Sequence, residues 1–438
     1  MIGADRIKRY RASGLDCLMH LARRLHDGQG RCVLTFADPI DRNRLARALQ
    51  LSMQAEPVLN CRFVPHPLRP FWESPSHLEP VAPLTCEESA DGDLIENFLG
   101  APLDASQSPQ VQSGLFRGGL DKLVIKMNHE AADGGGILNY LRLLGDIYHQ
   151  LEKNPAYIPP PGITGRRSKK IFLNQPIANH WRSFFRMGWP KQKTRFPKTS
   201  TNEDRPSFTR KELGNERFSL VRNHCRSFGM SVNGALLAAF FSALFQAGIS
   251  PAGAPLTIQA TIDLRHHLSK TYGLGIDNFS GTLYPTFKNQ DMMAAMIEMR
   301  RFLASARSHR PWLAQAQLIE FIFSFPYSLI RPLVQGAMSG QLKSGKINHF
   351  FANFGVLDLA SFNFGDAKLC DMDLFGPVPY SPGCILTTYC IRGSLRATTC
   401  LREMPGEKKT ASFLDAFLHQ LEDVGSLVIG RNGGENDL

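Results

Sequence analysis

No stretch of 18 uncharged apolar residues occurs in the 438-residue chain. A bilayer-crossing helix needs about 20 such residues, so an ordinary transmembrane helix is excluded. The opening residues MIGADRIKRYRASG carry no apolar core of signal-peptide length, and a cytoplasmic location is expected. The nine cysteines are odd in number, scattered, and include no C-x-x-C pair of the kind zinc sites need. They read as reduced thiols filling small apolar gaps, and no metal site is expected. No internal repeat is visible. Acidic residues are missing from one long stretch: Arg166 to Lys198 holds ten Lys and Arg and no Asp or Glu.

With 43% apolar, 10% aromatic and 20% charged residues, the chain is a folded globular one, long enough for two or three units with their own cores. Its net charge of +11 is local. Setting aside the ten cations of 166–198 leaves forty basic against thirty-nine acidic residues. Turn-formers flank that stretch, Ile158-Pro159-Pro160-Pro161-Gly162 before it and Thr199 to Pro206 after it, as in a linker between domains. The division expected is therefore 1–165, a basic aromatic linker 166–205, and 206–438. Three readings of the linker stand side by side. It is a solvated connector; or a peripheral membrane contact, since Trp181, Phe184, Phe185 and Trp189 interleave with the cations; or an attractor of a phosphate-bearing substrate or acidic carrier protein. Nucleic-acid binding is not expected, because no recognition motif accompanies the charge.

Both halves mix strands and helices. Arg31–Ala37 reads as a strand, and Asp41 as the cap of a helix burying Leu45, Leu49 and Met53. Lys122–Asn128 alternates as a strand and is followed by a glycine turn and a helix over 136–150. In the second half Ser231 caps a helix apolar all round, which must be buried. Pro255–Arg265 alternates cleanly, setting Asp263 and Arg265 on a polar face. Ile385–Ile391 and Leu395–Leu401 form a hairpin around Arg392-Gly393-Ser394. A last helix buries Leu414, Phe417, Leu418 and Leu421. Leu313–Val334, the most apolar segment, reads as core helix in spite of Glu320, Pro326, Arg331 and Pro332.

The residues best suited to chemistry are Met127-Asn128-His129-Glu130-Ala131-Ala132-Asp133-Gly134-Gly135-Gly136. A His leaves a strand, an Asp follows four residues on, and glycines open a helix. On residue chemistry alone a helix-entry turn explains the pattern equally well. The segment resembles the HHxxxDG motif of the chloramphenicol acetyltransferase-like superfamily, which includes condensation domains of peptide synthetases, wax ester synthases and the BAHD plant acyltransferases. Further stations follow in order: Ser231 to Ala239, Ile262-Asp263-Leu264-Arg265, Asp277 to Pro285 like the GNFVNTLP entry of condensation domains, and Asn353-Phe354-Gly355 where BAHD members carry DFGWG. Two departures stand out. Asn128 replaces the first His, and DFGWG is matched only loosely.

The resemblance implies an α/β fold (α+β two-layer sandwiches) of two chloramphenicol acetyltransferase-like subdomains with a substrate tunnel between them. It implies an acyltransferase in which His129 is the general base, moving an acyl group from acyl-CoA or an acyl carrier protein to a hydroxyl or amine; no cofactor is needed beyond that thioester co-substrate. It also implies that Asp133 turns away from substrate to pair with an arginine, for which Arg265 is the candidate, and that Gly134 is small because the chain turns there. Asn278, Ser280 and Thr282 are candidates for the oxyanion donor, with Asn128 as a further substrate contact. The apolar 313–334 segment suggests a lipophilic acceptor. The competing expectation, prompted by Asn128, is a catalytically silent protein that binds a lipid or an acylated carrier.

Overall fold

The computed structural model describes residues 7–75, 84–162, 192–196, 205–248, 253–268, 275–288, 291–402 and 407–426. The linker expected over 166–205 lies outside them except for 192–196 and Arg205. The first half runs β1 (Arg9–Arg11), α1 (Gly14–Ala22), β2 (Gln29–Phe36), α2 (Arg42–Ala55), β3 (Arg62–Val64), β4 (Phe71–Glu73), β5 (Leu84–Glu87), α3 (Gly92–Gly100), β6 (Val111–Phe116), β7 (Asp121–Asn128) and α4 (Gly134–Lys153). The second runs β8 (Ser207–Leu213), α5 (Asn215–Ser227), α6 (Val232–Gln246), β9 (Leu256–Asp263), β10 (Ser280–Leu283), β11 (Thr286–Phe287), α7 (Met292–His309), α8 (Pro311–Ile322), α9 (Tyr327–Ser344), β12 (His349–Val356), β13 (Leu369–Phe375), β14 (Ile385–Ile391), β15 (Ser394–Leu401) and α10 (Glu407–Ser426). Among the described residues no single helix is long and apolar enough to cross a membrane.

The fold is α/β, built on two larger sheets. The first has the order β13-β2-β7-β6-β5, the second β10-β9-β12-β14-β15-β8 with β11 also on β9, and β1-β4-β3 form a small third sheet. In the first sheet Leu123, Ile125 and Met127 of β7 face α2 and α4 and are buried with Leu45, Leu141 and Leu144. The opposite face is covered as well. Val124 packs with Ile95 and Leu99 of α3, and Lys126 is buried with Nζ donating to the Ala101 carbonyl at 2.9 Å. Burial, with Arg31 nearby, pushes that ammonium down to about 7. In the second half Ser231 caps α6, whose apolar surface is enclosed by Met296 and Met299 of α7, Phe413 and Phe417 of α10, and the sheet.

Four expectations are corrected. β9 stops at Asp263, and Leu264–His267 form a 3-10 turn that carries Arg265 inward. The hairpin turn has two residues, Arg392 and Gly393, both with positive φ (50° and 85°), as a type I′ connection requires. Leu313–Val334 is not one core helix. It breaks between α8 and α9, and of α9 only Tyr327 is buried, because Pro326 cannot continue α8 and instead starts α9. Finally, β13 lies within 206–438 in sequence yet pairs antiparallel with β2 of the first sheet, from Leu369↔Phe36 to Phe375↔Arg31.

That last pairing ties the halves together. Met372 stands opposite Leu34, fully buried in the first core. Met372→Ala is expected to cost about 2–5 kcal/mol, seen in urea unfolding as one shifted transition. Two separate transitions, only one of them shifted, would show that the halves unfold independently.

Candidate active site

β7 pairs residue for residue with β2 up to Asn128↔Gln29, and there the chain leaves the sheet. The Asn128 carbonyl accepts from the N–H of Ala131 (3.0 Å) and of Ala132 (3.3 Å), which curls the segment into a turn. Ala131 and Ala132 are fully buried. Asp133 then caps α4, its Oδ1 accepting from the Gly136 N–H at 2.8 Å. The turn thus has its two ends fixed by the backbone, with His129 between them.

Asp133 is 1% exposed and is the most heavily coordinated carboxylate of the site. Arg265 Nη2 lies 2.8 Å from Oδ1 and Nη1 donates to Oδ2 at 3.2 Å. The Phe279 N–H donates to Oδ2 at 2.8 Å and the Ser280 hydroxyl at 2.7 Å. Burial alone would raise this carboxyl, but the Arg265 guanidinium, the Ser280 hydroxyl and the Gly136 N–H outweigh it and hold it at about 2. Arg265 is itself held by the Asp277 carbonyl (2.7 Å) and by Asp263 Oδ1 (3.3 Å). Asp263, the rival polar residue of the strand, caps the turn that brings Arg265 in.

Such close approach leaves no room for side chains on the glycines. A Cβ on Gly134 would come within 2.4 Å of the Phe354 ring, one on Gly135 within 2.5 Å of Arg265 Nη1, and one on Gly136 within 2.8 Å of the Asp277 carbonyl. Phe354 is the middle of Asn353-Phe354-Gly355, where the β12–β14 register shifts and Gly355 turns with φ 68°. This late turn therefore packs on the start of α4.

The His129 ring is half-buried, and its Nδ1 makes no hydrogen bond among the described residues. Its backbone N–H donates to the Gly28 carbonyl at 2.8 Å. The Gly28 N–H in turn donates to Nδ1 of His26 at 3.0 Å. The two imidazoles, with centroids 6.3 Å apart, are thus hung on the same glycine. His26 was not foreseen from sequence; it lies in an unremarkable His-Asp-Gly turn about a hundred residues from the motif. Burial, reinforced by His129, lowers its imidazole to about 4. A neutral ring whose Nδ1 accepts must carry its proton on Nε2.

The four polar candidates are each bonded to neighbouring groups. Asn128 Nδ2 donates to Gln110 Oε1 (2.9 Å) and its Oδ1 accepts from Arg23 (3.3 Å). Asn278 Nδ2 donates to the Glu130 carbonyl (2.8 Å) and to Asp16 Oδ1 (3.3 Å). The Ser280 hydroxyl serves Asp133, and the Thr282 hydroxyl donates to Gln315 Oε1 at 2.7 Å. These donors build the walls of the site and are committed there. Glu130, also unforeseen, is buried; His20 and Arg23 (Nη1 at 2.9 Å) outweigh its burial and keep its carboxyl low.

No protein-family model and no curated protein sequence matches the chain. Solved structures do match along its length. The first condensation domain of the CDA synthetase superposes with a TM-score of 0.70 at 13% identity, covering 96% of each chain. Trichothecene 15-O-acetyltransferase from Fusarium sporotrichioides gives 0.66 at 11%, covering 97% of this chain and 98% of its own. The epimerization domain from the third module of tyrocidine synthetase B gives 0.67 at 12%, covering 98% of both. The chain therefore has the fold shared by these condensation, epimerization and acetyltransferase structures.

The depressed carboxyl of Asp133 makes a pH prediction. Its folded pKa of about 2 lies below the ordinary 3.8, so its stabilisation is complete above about pH 4 and is lost as pH falls toward 2. Asp133→Asn, by leaving Arg265 buried without its partner, is expected to lose about 3–5 kcal/mol at neutral pH. It should also show a shallower decline of stability between pH 4 and 2. Urea unfolding across pH 2–7 measures both; parallel declines for the two proteins would remove Asp133 as the source.

Proposed function

We propose that the protein is an acyltransferase, moving an acyl group from a thioester to a hydroxyl or amine of a lipophilic acceptor. The observation that carries this reading is the half-buried imidazole of His129 on a turn whose neighbouring polar groups are clamped. His129 takes the proton of the acceptor as its oxygen or nitrogen attacks the thioester carbonyl. The tetrahedral intermediate then collapses, the carbon–sulfur bond breaks, and the proton passes from the imidazole to the leaving thiolate. Such a positioned base contributes about 10²–10⁴-fold.

With Asn128, Asn278, Ser280 and Thr282 bonded to other groups, we assign the developing oxyanion to the proton on Nε2 of neutral His26, whose ring centroid lies 6.3 Å from that of His129. Asp133 and Arg265 hold the turn and take no proton in the cycle. The thioester is carried by coenzyme A or by the phosphopantetheinyl arm of a carrier protein, and the chemistry calls for no metal or redox group. Condensation domains among the similar folds favour a carrier, and the cations of 166–198 would attract an acidic one. An epimerization domain shares the fold, so the reading rests on the site and not on the architecture.

The test is incubation with acyl-CoA of graded chain length and a panel of long-chain alcohols and amines, following thiol release and product. His129→Ala is expected to lower turnover by about 10²–10⁴-fold with its circular dichroism unchanged. His26→Phe is expected to lower kcat with little change in KM. Product formed equally well by His129→Ala would sink the proposed mechanism. Thioester binding without turnover by the native protein would favour a lipid- or carrier-binding role.

A further inference from the structure

We propose that the elbow between α8 and α9 is a docking face for an anionic lipid bilayer. This stands apart from the acyl-transfer reading. A helix on the surface of a globular protein turns a mostly charged or polar side outward, whereas α9 exposes mainly apolar and small residues beside Arg331 and Lys343. Its outward residues include Leu329, Pro332, Leu333, Gly336, Ala337 and Gly340, none of them charged. Leu329 is 61% and Leu333 70% exposed, one helical turn apart.

Exposed apolar residues recur at the elbow. Phe321 (56% exposed) and Phe325 (48%) pack edge-to-face at 5.4 Å. Leu68, 62% exposed, is joined on by the Tyr327 N–H donating to its carbonyl at 3.1 Å. Scattered exposed leucines are ordinary, whereas a connected patch rimmed by polar groups marks an interaction surface.

Charge identifies the occupant. The chain from Phe321 to Leu357 contains no Asp or Glu. The nearest acid before it, Glu320, accepts from the Gly14 N–H at 2.9 Å. Arg69, Arg331, Lys343 and Lys346 are exposed and make no ion pair among the described residues. At the far end of α9, Phe196 donates its N–H to the Gly345 carbonyl (2.9 Å), bringing the exposed Lys193 and Arg195 beside that end. Bulky apolar side chains flanked by unpaired cations suit a headgroup layer with acyl chains beneath it. Beyond Ser328, Arg331 and Lys343 the outward face of α9 offers no polar side chain, whereas a typical protein interface carries about one hydrogen bond per 100–200 Å².

The experiment is co-sedimentation of the full chain with phosphatidylcholine vesicles and with vesicles of phosphatidylcholine and phosphatidylglycerol in equal parts. Binding is expected to be at least about tenfold stronger to the anionic vesicles and to weaken with added salt. The double variant Leu329→Glu/Leu333→Glu, on exposed positions and with its fold checked by circular dichroism, is expected to lose at least about tenfold in binding. The proposal is overturned if the native chain sediments with neither vesicle. It is equally overturned if the double variant binds like the native chain, which would place the contact elsewhere, or if the same face captures an acidic carrier protein while ignoring vesicles.

Discussion

A carboxylate with almost no access to water sits where the two halves of the chain meet, and the geometry around His129 depends on keeping it ionised. Burying Asp133 alone would be prohibitive. It is sustained because donors converge on it from three directions: the first turn of α4, the guanidinium of Arg265, and the entry to β10 through Phe279 and Ser280. Two of these belong to the second half. Losing any one leaves the others facing an undercompensated charge, so the contact acts as an all-or-none clamp on the turn that carries His129.

The clamp also explains why three successive glycines open α4. Ion pairs and hydrogen bonds are short-range, so the elements bearing the donors must approach to contact. Phe354 then lies over Gly134, Arg265 over Gly135 and the Asp277 backbone against Gly136. The glycines make no direct contribution to chemistry. They set how near the second half can come to the first, and hence how firmly the imidazole is aimed.

What was legible in the sequence is what local physics determines. Alternation in 122–128, the caps at Asp41 and Ser231, and the hairpin between 385–391 and 395–401 each follow from a few neighbouring residues, and those elements stand where the signals put them, the hairpin turn being one residue shorter than read. His129 and Asp133 stood out only through the resemblance of their segment to a known motif, and the alternation of 255–265 at least put Arg265 forward as the partner of Asp133. Its route was not, since the 3-10 turn after Asp263 forms to reach a carboxylate 132 residues earlier. The destination of β13 and the cover over Lys126 are choices of partner made across hundreds of residues. Whether a side-chain donor is free is equally non-local. Asn278 and Thr282 look available until Asp16 and Gln315 arrive from other elements.

His26 is the residue for which this matters most. Its loop is pinned independently of the motif: Asp27 accepts from the Val378 N–H at 2.9 Å and pairs with Arg31, while Gly28 turns with φ 72°, a conformation glycine tolerates and where a Cβ would meet the Arg23 side chain at 2.9 Å. The two peptide groups that flank Gly28 share the work, the N–H of one bonding the His26 ring and the carbonyl of the other anchoring the backbone of His129. Because burial holds His26 neutral down to about pH 4, the ring presents the same hydrogen-bond donor throughout the range in which an ordinary imidazole changes charge. A histidine held neutral by burial thus stands beside one whose Nδ1 is unpaired among the described residues, so two like groups on one glycine differ in their surroundings.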